Sequence, residues 1–144
     1  MKLSPNFSLE EMTVSETAAR KGINNVPDEA TITNLKQLCK YVLEPLRTLI
    51  GVPLLVTSGY RSIALNKAIG GAKNSQHCLG MAADVHCNKY NVEKLYQLIK
   101  KSDIPFDQLI WEFGQWVHIS YAYKTRHECL RAIKVNGKTV YQKD

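Results

Sequence analysis

The sequence lacks any apolar run long enough to cross a membrane. Its apolar stretches are interrupted within a few residues, whereas a spanning helix needs about 20 apolar residues. The start of the chain also lacks the apolar segment of a secretory signal. We therefore expect a protein made in the cytoplasm and not inserted in a membrane. Repeats, low-complexity tracts and flexible linkers are absent as well, which predicts one domain over residues 1–144.

Paired cysteines with the spacing of a metal or redox motif are also missing. None of the four cysteines belongs to a CxxC pair; they are Cys39, Cys78, Cys87 and Cys129. Scattered cysteines in a chain of this length are most simply thiols of a reducing compartment. The sequence therefore favours free or buried thiols, and a disulfide is the weaker alternative.

Acidic residues are outnumbered, with 13 Asp and Glu against 19 Lys and Arg and a net charge of +6. This charge is compatible with simple solubility, or with attraction to nucleic acid or an anionic cell-wall polymer. The basic residues are scattered and are not interleaved with aromatic residues, as they are in many nucleic-acid-binding surfaces. We therefore do not expect a nucleic-acid partner.

Helical patterns dominate the first part of the chain. Apolar residues recur at three- and four-residue steps over residues 28–50, with Pro45 predicting a kink near residues 41–44 and Gly51 ending the helix. Ser8 begins a capping-box pattern for a shorter helix. Further helices are predicted over residues 62–69 and 92–101.

Strand patterns dominate the second part. They cover residues 52–57, 82–87, 108–113 and 116–121, the last two joined through Gly114 and Gln115, and the tail forms an Asn-Gly hairpin over residues 133–140. Helices first and antiparallel strands last indicate an α+β fold, with a small antiparallel sheet and helices packed on one face.

Alternation along two of these strands singles out Asp84 and His118. In residues 82–87 the core-facing set is Ala83, Val85 and Cys87, so Asp84 projects from the other face, towards a cleft or water. In residues 116–121 the same rule places His118 opposite the apolar Val117, Ile119 and Tyr121. His77 lies in a glycine-containing loop that can fold beside both.

Two imidazoles and one carboxylate are a typical donor set for catalytic zinc, because they leave a fourth position for water. Zinc there would lower the pKa of water and polarise a carbonyl. The spacing His-x6-Asp alone is not a zinc signature, however. On alternation alone, an exposed Asp84 and His118 are more simply interpreted as ordinary surface residues.

Several ordered motifs resemble one family. Ser75-x-His77-x-x-Gly80-x-Ala82-x-Asp84, followed by Trp116-Val117-His118, resembles the motif pair of peptidase family M15, the zinc D-alanyl-D-alanine carboxypeptidases and related peptidoglycan endopeptidases. The sequence TSGYRS at residues 57–62 resembles the upstream element of that family. The opening FSLEEM, followed by SETA, resembles its phage- and bacteria-borne branch. The resemblance implies a hedgehog/DD-peptidase-like fold and one zinc peptidase domain.

The resemblance also implies roles for individual residues. His77, Asp84 and His118 would be the Zn²⁺ ligands. Arg61 would bind a substrate carboxylate or stabilise the oxyanion, since a guanidinium is always charged and can bond two oxygens; its alternative is a surface salt bridge. Ser75 would be a polar substrate contact or a plain turn residue. Independently of the resemblance, Trp116 shares the open face of His118, where it would line a sugar- or peptide-binding groove or, equally, serve only in packing.

The family pattern is broken at Gln115. Many members carry an acidic general base there, and an amide cannot accept a proton from water. Residues flanking a short hairpin turn approach within roughly 5 Å on one face, so we expect Glu112 to serve as general base. The alternative is that catalysis has been lost and the chain is a zinc-stabilised cell-wall-binding module.

The expected activity is therefore hydrolysis of an amide bond in peptidoglycan stem peptides by a monomer. Both a D-Ala-D-Ala carboxypeptidase and an endolysin-type endopeptidase are compatible with the motifs. The missing secretory signal favours action at the cell wall after release of the phage-lysis type.

Overall fold

The computed structural model describes residues 1–144. The chain begins with a two-stranded antiparallel sheet and two short helices: β1 (Lys2–Ser4), β2 (Phe7–Ser8), α1 (Leu9–Thr13) and α2 (Glu16–Lys21). The Ser8 hydroxyl accepts a hydrogen bond from the Glu11 N–H, and the Glu11 carboxylate accepts one from the Ser8 N–H. The predicted capping box is therefore confirmed, and it fixes where α1 begins.

A long helical segment follows, and its middle turn is wider than an α-helix. It consists of α3 (Glu29–Leu38), a π-helical turn (Cys39–Leu43) and α4 (Glu44–Ile50). Pro45, in the first turn of α4, has no N–H to donate, and its ring would clash with the carbonyl four residues earlier. The predicted kink thus takes the form of a π-helical turn. Gly51 ends the segment, as predicted, with φ 71°.

The main sheet has six strands in the order β3-β4-β6-β5-β7-β8: β3 (Leu55–Ser58), β4 (Ala82–His86), β5 (Gln108–Glu112), β6 (Trp116–Ser120), β7 (Glu128–Val135) and β8 (Lys138–Lys143). All neighbours are antiparallel except β5 and β7, which are parallel. The α+β class is confirmed, and the parallel pair makes the larger sheet mixed. The strand expected from residue 52 starts only at Leu55, after Pro53, which cannot donate to a ladder.

The main core lies between one face of this sheet and the helices. Two further helices are α5 (Ile63–Ala68) and α6 (Val92–Lys100). The sheet supplies Ala83, Val85, Val117 and Ile119 to the core, and the helices supply apolar residues of α3, α4 and α6, among them Leu35, Leu46, Leu95 and Ile99. The predicted alternation of core-facing residues is confirmed. All four cysteines are free thiols. None of the helices combines the length and apolar character that spanning a membrane requires.

Candidate metal centre

Three side chains from two neighbouring strands and one turn meet on the other face of the sheet. Asp84 in β4 lies directly opposite His118 in β6, and directly opposed residues project from the same face. His77 lies in a short 3-10 turn (Gln76–Leu79) just before β4. One ligand atom from each residue lies within 4.8 Å of the other two. The structure thus brings together the three donors that the motifs single out.

This face is more enclosed than the alternation suggested. Asp84 was expected at a cleft or in water, but its exposed fraction is only 7%. The two imidazoles flank the carboxylate, with ring centroids 5.0 Å apart in an edge-to-face arrangement, and both are themselves buried. A pattern of apolar and polar residues reports which face a side chain is on, and it cannot report what packs over that face.

The orientation of His77 is fixed by a backbone carbonyl. Its Nδ1 lies 2.6 Å from the Gly59 carbonyl oxygen, which can only accept, so Nδ1 donates. Burial lowers the pKa of His77, against the opposing charge of Asp84, which favours the neutral imidazole. The Nε2 lone pair then points at Asp84 Oδ1, 3.2 Å away. Two acceptor atoms at this distance repel each other, and a cation bound between them would remove that repulsion.

The donor spacing fits a divalent cation. Asp84 Oδ1 lies 3.2 Å from His77 Nε2 and 3.1 Å from His118 Nδ1. Metal–ligand bonds of 2.0–2.1 Å in tetrahedral geometry place neighbouring ligand atoms about 3.3 Å apart. Burial raises the pKa of Asp84, but the two flanking histidines outweigh burial and hold the pKa well below its usual range. The carboxylate is therefore ionised and available as a ligand.

Glu112 supplies a second carboxylate beside the donors. It ends β5 directly opposite Trp116, and its Oε1 lies 3.6 Å from His118 Nδ1. Burial raises the pKa of Glu112, and the negative charge of Asp84 raises it further. Gln115 is exposed in the turn, where its N–H donates to the Glu112 carbonyl over 2.9 Å. The turn contains Phe113 as well as the expected Gly114 and Gln115.

Arg61 lies beside the same site. Its N–H donates to the His77 carbonyl over 3.1 Å, and its charge acts on both His77 and Glu112. Its Nε is buried and has no protein partner. A cavity of about 350 Å³ borders Arg61, Ser58 and Tyr60. The alternative role for Arg61, a surface salt bridge, is excluded because no carboxylate forms an ion pair with its guanidinium.

Asn25, which the sequence analysis missed, holds the segment that carries Arg61. Its Nδ2 donates to the Thr13 carbonyl over 2.8 Å and to the Tyr60 carbonyl over 3.2 Å, and its Oδ1 accepts from the Ser62 N–H over 2.7 Å. The backbone on both sides of Arg61 is thereby fixed to the N-terminal helices. An asparagine between Asn24 and Val26 resembles any loop residue, so no local signal distinguished it.

Two glycines of the family motifs are required by close contacts. A Cβ on Gly59 would lie 2.4 Å from the Met12 carbonyl oxygen, and Tyr60 donates its N–H to that same oxygen over 2.7 Å. Gly80 ends the His77 turn with φ 73°, and a Cβ there would lie 2.7 Å from the Thr31 carbonyl oxygen. Both glycines thus allow the metal-site loops to approach neighbouring backbone.

Asp107, a second residue that the sequence patterns did not single out, holds the His77 turn in place through a hydrogen bond to Gln76. Its carboxylate accepts from the Gln76 Nε2 over 2.9 Å and from two nitrogens of Arg126 over 2.9 and 2.8 Å. Hydrogen bonds from Arg126 lower the pKa of Asp107 to about 2. The 3-10 turn and the connection from β6 to β7 are therefore joined by one buried carboxylate.

The remaining predicted residues lie around the donors. Ser75 accepts from the His77 N–H over 3.2 Å, so it caps the turn, and its substrate contact stays a prediction. Trp116 is partly exposed, and its buried Nε1 has no protein partner.

A buried donor set of this composition, next to an ionisable carboxylate, defines the class of metal-dependent hydrolases. A family model described as Peptidase M15 matches residues 5–120. The chain therefore belongs to the Peptidase M15 family, which consists of metal-dependent peptidases. The matched residues include all three donors, Arg61 and Glu112, and they end before β7. No curated protein matches the chain in a comparison of sequences.

Proposed function

We propose that the protein is a zinc-dependent hydrolase of an amide bond in peptidoglycan stem peptides. Donor distances of 3.1 and 3.2 Å support a tetrahedral ion at His77, Asp84 and His118, and two imidazoles with one carboxylate favour zinc. When bound, zinc supplies a Lewis acid that polarises a carbonyl and makes water a stronger nucleophile at neutral pH. The expected site of action is the cell wall.

Glu112 carries the proton transfers in this proposal. Its carboxylate takes a proton from the attacking water and delivers it to the nitrogen of the scissile bond, so the C–N bond breaks with release of a neutral amine and not of an amide anion. The raised pKa of Glu112, caused by burial and by Asp84, suits a group that must both accept and release a proton. A cation bound between the three donors would lower the pKa of Glu112, because a nearby positive charge favours the ionised carboxylate.

Arg61 stabilises negative charge on the substrate. Its charge acts on His77 and Glu112, and its Nε has no protein partner, so the guanidinium can bond the developing oxyanion or a peptide carboxylate. A terminal carboxylate would suit a D-Ala-D-Ala carboxypeptidase. Stem peptides carry internal carboxylates too, so an endolysin-type endopeptidase is served equally well, and the fragments released decide between the two.

The observation that carries the proposal is the Glu112 Oε1 position, 3.6 Å from His118 Nδ1. The competing function, a zinc-stabilised binding module without catalysis, was motivated by Gln115 in place of an acid. Gln115 is exposed in the turn, while Glu112 offers the carboxylate beside the donors. We therefore favour the enzyme.

Mass spectrometry of peptidoglycan digests tests the proposal. Fragments with new amino groups should appear with the zinc-loaded protein, disappear after chelation and return when zinc is restored, and their masses name the bond. Glu112→Gln should lower kcat by about 10²–10⁴-fold, the usual contribution of a general base, while binding zinc stoichiometrically. Gln115→Ala, a matched change in the adjoining turn, should retain wild-type kcat.

The binding-module alternative gives a different set of results. The protein would bind stoichiometric zinc and sediment with peptidoglycan, but no new amino groups would form. Wild type and Glu112→Gln would then be indistinguishable in every digest, and that outcome would overturn the proposed hydrolysis.

A further inference from the structure

A row of three residues crosses the sheet from the candidate site to the C-terminal hairpin. Glu112 in β5 pairs with Ala132 in β7, and Ala132 pairs with Tyr141 in β8. Paired residues on neighbouring strands project from the same face of a sheet. Tyr141 therefore shares its face with Glu112, and also with Asp84 and His118.

Ala132, the middle residue of the row, leaves space in which the side chains of Glu112 and Tyr141 can approach each other. Two strand spacings separate the Cα atoms of Glu112 and Tyr141 by roughly 10 Å. Ala132 between them is fully buried and its side chain is only a methyl group. It therefore does not separate the Glu112 carboxylate from the Tyr141 phenol. Burial raises the pKa of Tyr141, and the negative charges of Glu112 and Asp84 raise it further. The hydroxyl thus lies within electrostatic reach of both carboxylates.

Glu112 has an aromatic residue on each side. Trp116 is its direct partner in β6, and it packs edge-to-face on Phe113 with ring centroids 6.4 Å apart. Tyr141 lies on the opposite side and is 51% exposed, so its ring remains open to a ligand. The two aromatic side chains therefore stand on either side of Glu112 on the same face of the sheet.

We propose that Tyr141 is a substrate-contacting residue of this site, whose hydroxyl donates a hydrogen bond to an oxygen of the peptide bound beside Glu112. The inference rests on the proposed function, since it names a further contact to the same substrate. It also assigns a task to the β7–β8 hairpin, which lies outside the family-matched residues 5–120. Part of substrate recognition then comes from residues outside those that the family model matches.

Removal of one oxygen atom tests the contact. Tyr141→Phe should lower kcat/KM on peptidoglycan fragments about tenfold, the effect of about 1.4 kcal/mol for one lost hydrogen bond. Zinc content and thermal midpoint should stay at wild-type values, because the phenol makes no hydrogen bond within the protein. Tyr123→Phe is the matched control, since Tyr123 is 93% exposed in the connection after β6, and it should leave kcat/KM unchanged. A Tyr141→Phe value within twofold of wild type would overturn the inference.

A binding measurement separates this inference from the proposed hydrolysis. The zinc-loaded Glu112→Gln protein, labelled with ¹³C-tyrosine, is titrated with a synthetic stem pentapeptide, and the Tyr141 resonance is assigned by its loss in Tyr141→Phe. The Tyr141 resonance should shift and the Tyr123 resonance should not. A shift without wild-type hydrolysis would sink the proposed reaction and keep the contact. Hydrolysis without a Tyr141 shift would sink the contact alone.

Discussion

Residues outside the donor group control the orientation of the residues at the site. The Gly59 carbonyl selects which nitrogen of His77 faces Asp84, and the hydrogen bonds of Asn25 hold the backbone on both sides of Arg61. Side chains that orient a site in this way usually matter nearly as much as the groups they orient. The site at this scale is therefore larger than its three donors.

Asn25→Ala should lower kcat/KM about tenfold or more, because Arg61 loses the two hydrogen bonds that fix its backbone. Steady-state kinetics on peptidoglycan fragments measure the effect. In an Arg61→Ala background, Asn25→Ala should cause little further loss, since Asn25 acts through Arg61. Additive losses in the double variant would contradict this role. The control is Asn24→Ala, which removes only an exposed hydrogen bond to Val26 and should leave kcat/KM unchanged.

The grouping of His77, Asp84 and His118 could be predicted from the sequence, while the residues that support this group could not. Strand alternation and motif order are local properties, and they sufficed for Asp84 and His118. Asn25 bonds residues 35 and 37 positions away, and Asp107 bonds Arg126 at a separation of 19. Such partners are set by how the chain folds back on itself, which no local pattern records.

At the scale of elements, Asp107 connects the start of β5 to two irregular segments. Its carboxylate bonds Gln76 in the His77 turn and Arg126 in the connection to β7. Its side chain is only 2% exposed, so the ion pair is shielded from water on the carboxylate side. Protonation of Asp107 is therefore expected to loosen both segments together.

The free energy of unfolding should depend on pH through Asp107. Its pKa is about 2 in the folded protein, lowered by hydrogen bonds from Arg126, against an ordinary value of 3.8. A lowered pKa gives stability that is present above pH 3.8 and lost as pH falls towards 2. Urea unfolding between pH 5 and 2 should show this loss, and Asp107→Asn should be less stable at pH 7 with a flatter profile. Asp103→Asn, at an exposed carboxylate, should follow wild type; equal slopes in all three proteins would contradict the prediction.

The helices and hairpins follow closely from sequence patterns, but one strand pairing does not. Capping at Ser8, the stop at Gly51 and the Asn136–Gly137 turn are encoded by the residues present at those places. The parallel contact of β5 with β7 joins strands that are not consecutive. Alternation specifies which face of a strand is buried and leaves its neighbour unspecified, so the row ending at Tyr141 could not be foreseen.

At the scale of the whole molecule, the donors exist as a group only in the folded chain. His118 and Asp84 are 34 positions apart and meet through the pairing of β4 with β6. An unfolded chain keeps only the local pair His77 and Asp84, separated by 7 positions. A bound ion is therefore expected to favour the folded state strongly over the unfolded state.

Removal of zinc should lower the thermal midpoint. Linkage predicts a stabilisation of about 4 kcal/mol when free zinc is 1,000 times its Kd, measurable as a midpoint that rises with zinc in differential scanning calorimetry. His118→Ala should lose most of this dependence. His127→Ala should keep it, since His127 is exposed and lies outside the donor cluster. The same midpoint with zinc and with chelator would argue against a metal site here.

The strand order β6-β5-β7 also has a consequence for how the two ends of the sheet depend on each other. Every donor, with Arg61 and Glu112, precedes β7, whereas Tyr141 lies in the last strand. The parallel pairing of β7 with β5 is therefore what brings the end of the chain to the metal site. Without that pairing β5 would be an exposed edge strand with unpaired backbone groups. The C-terminal hairpin thus covers a sheet edge and carries the proposed substrate contact at the same time.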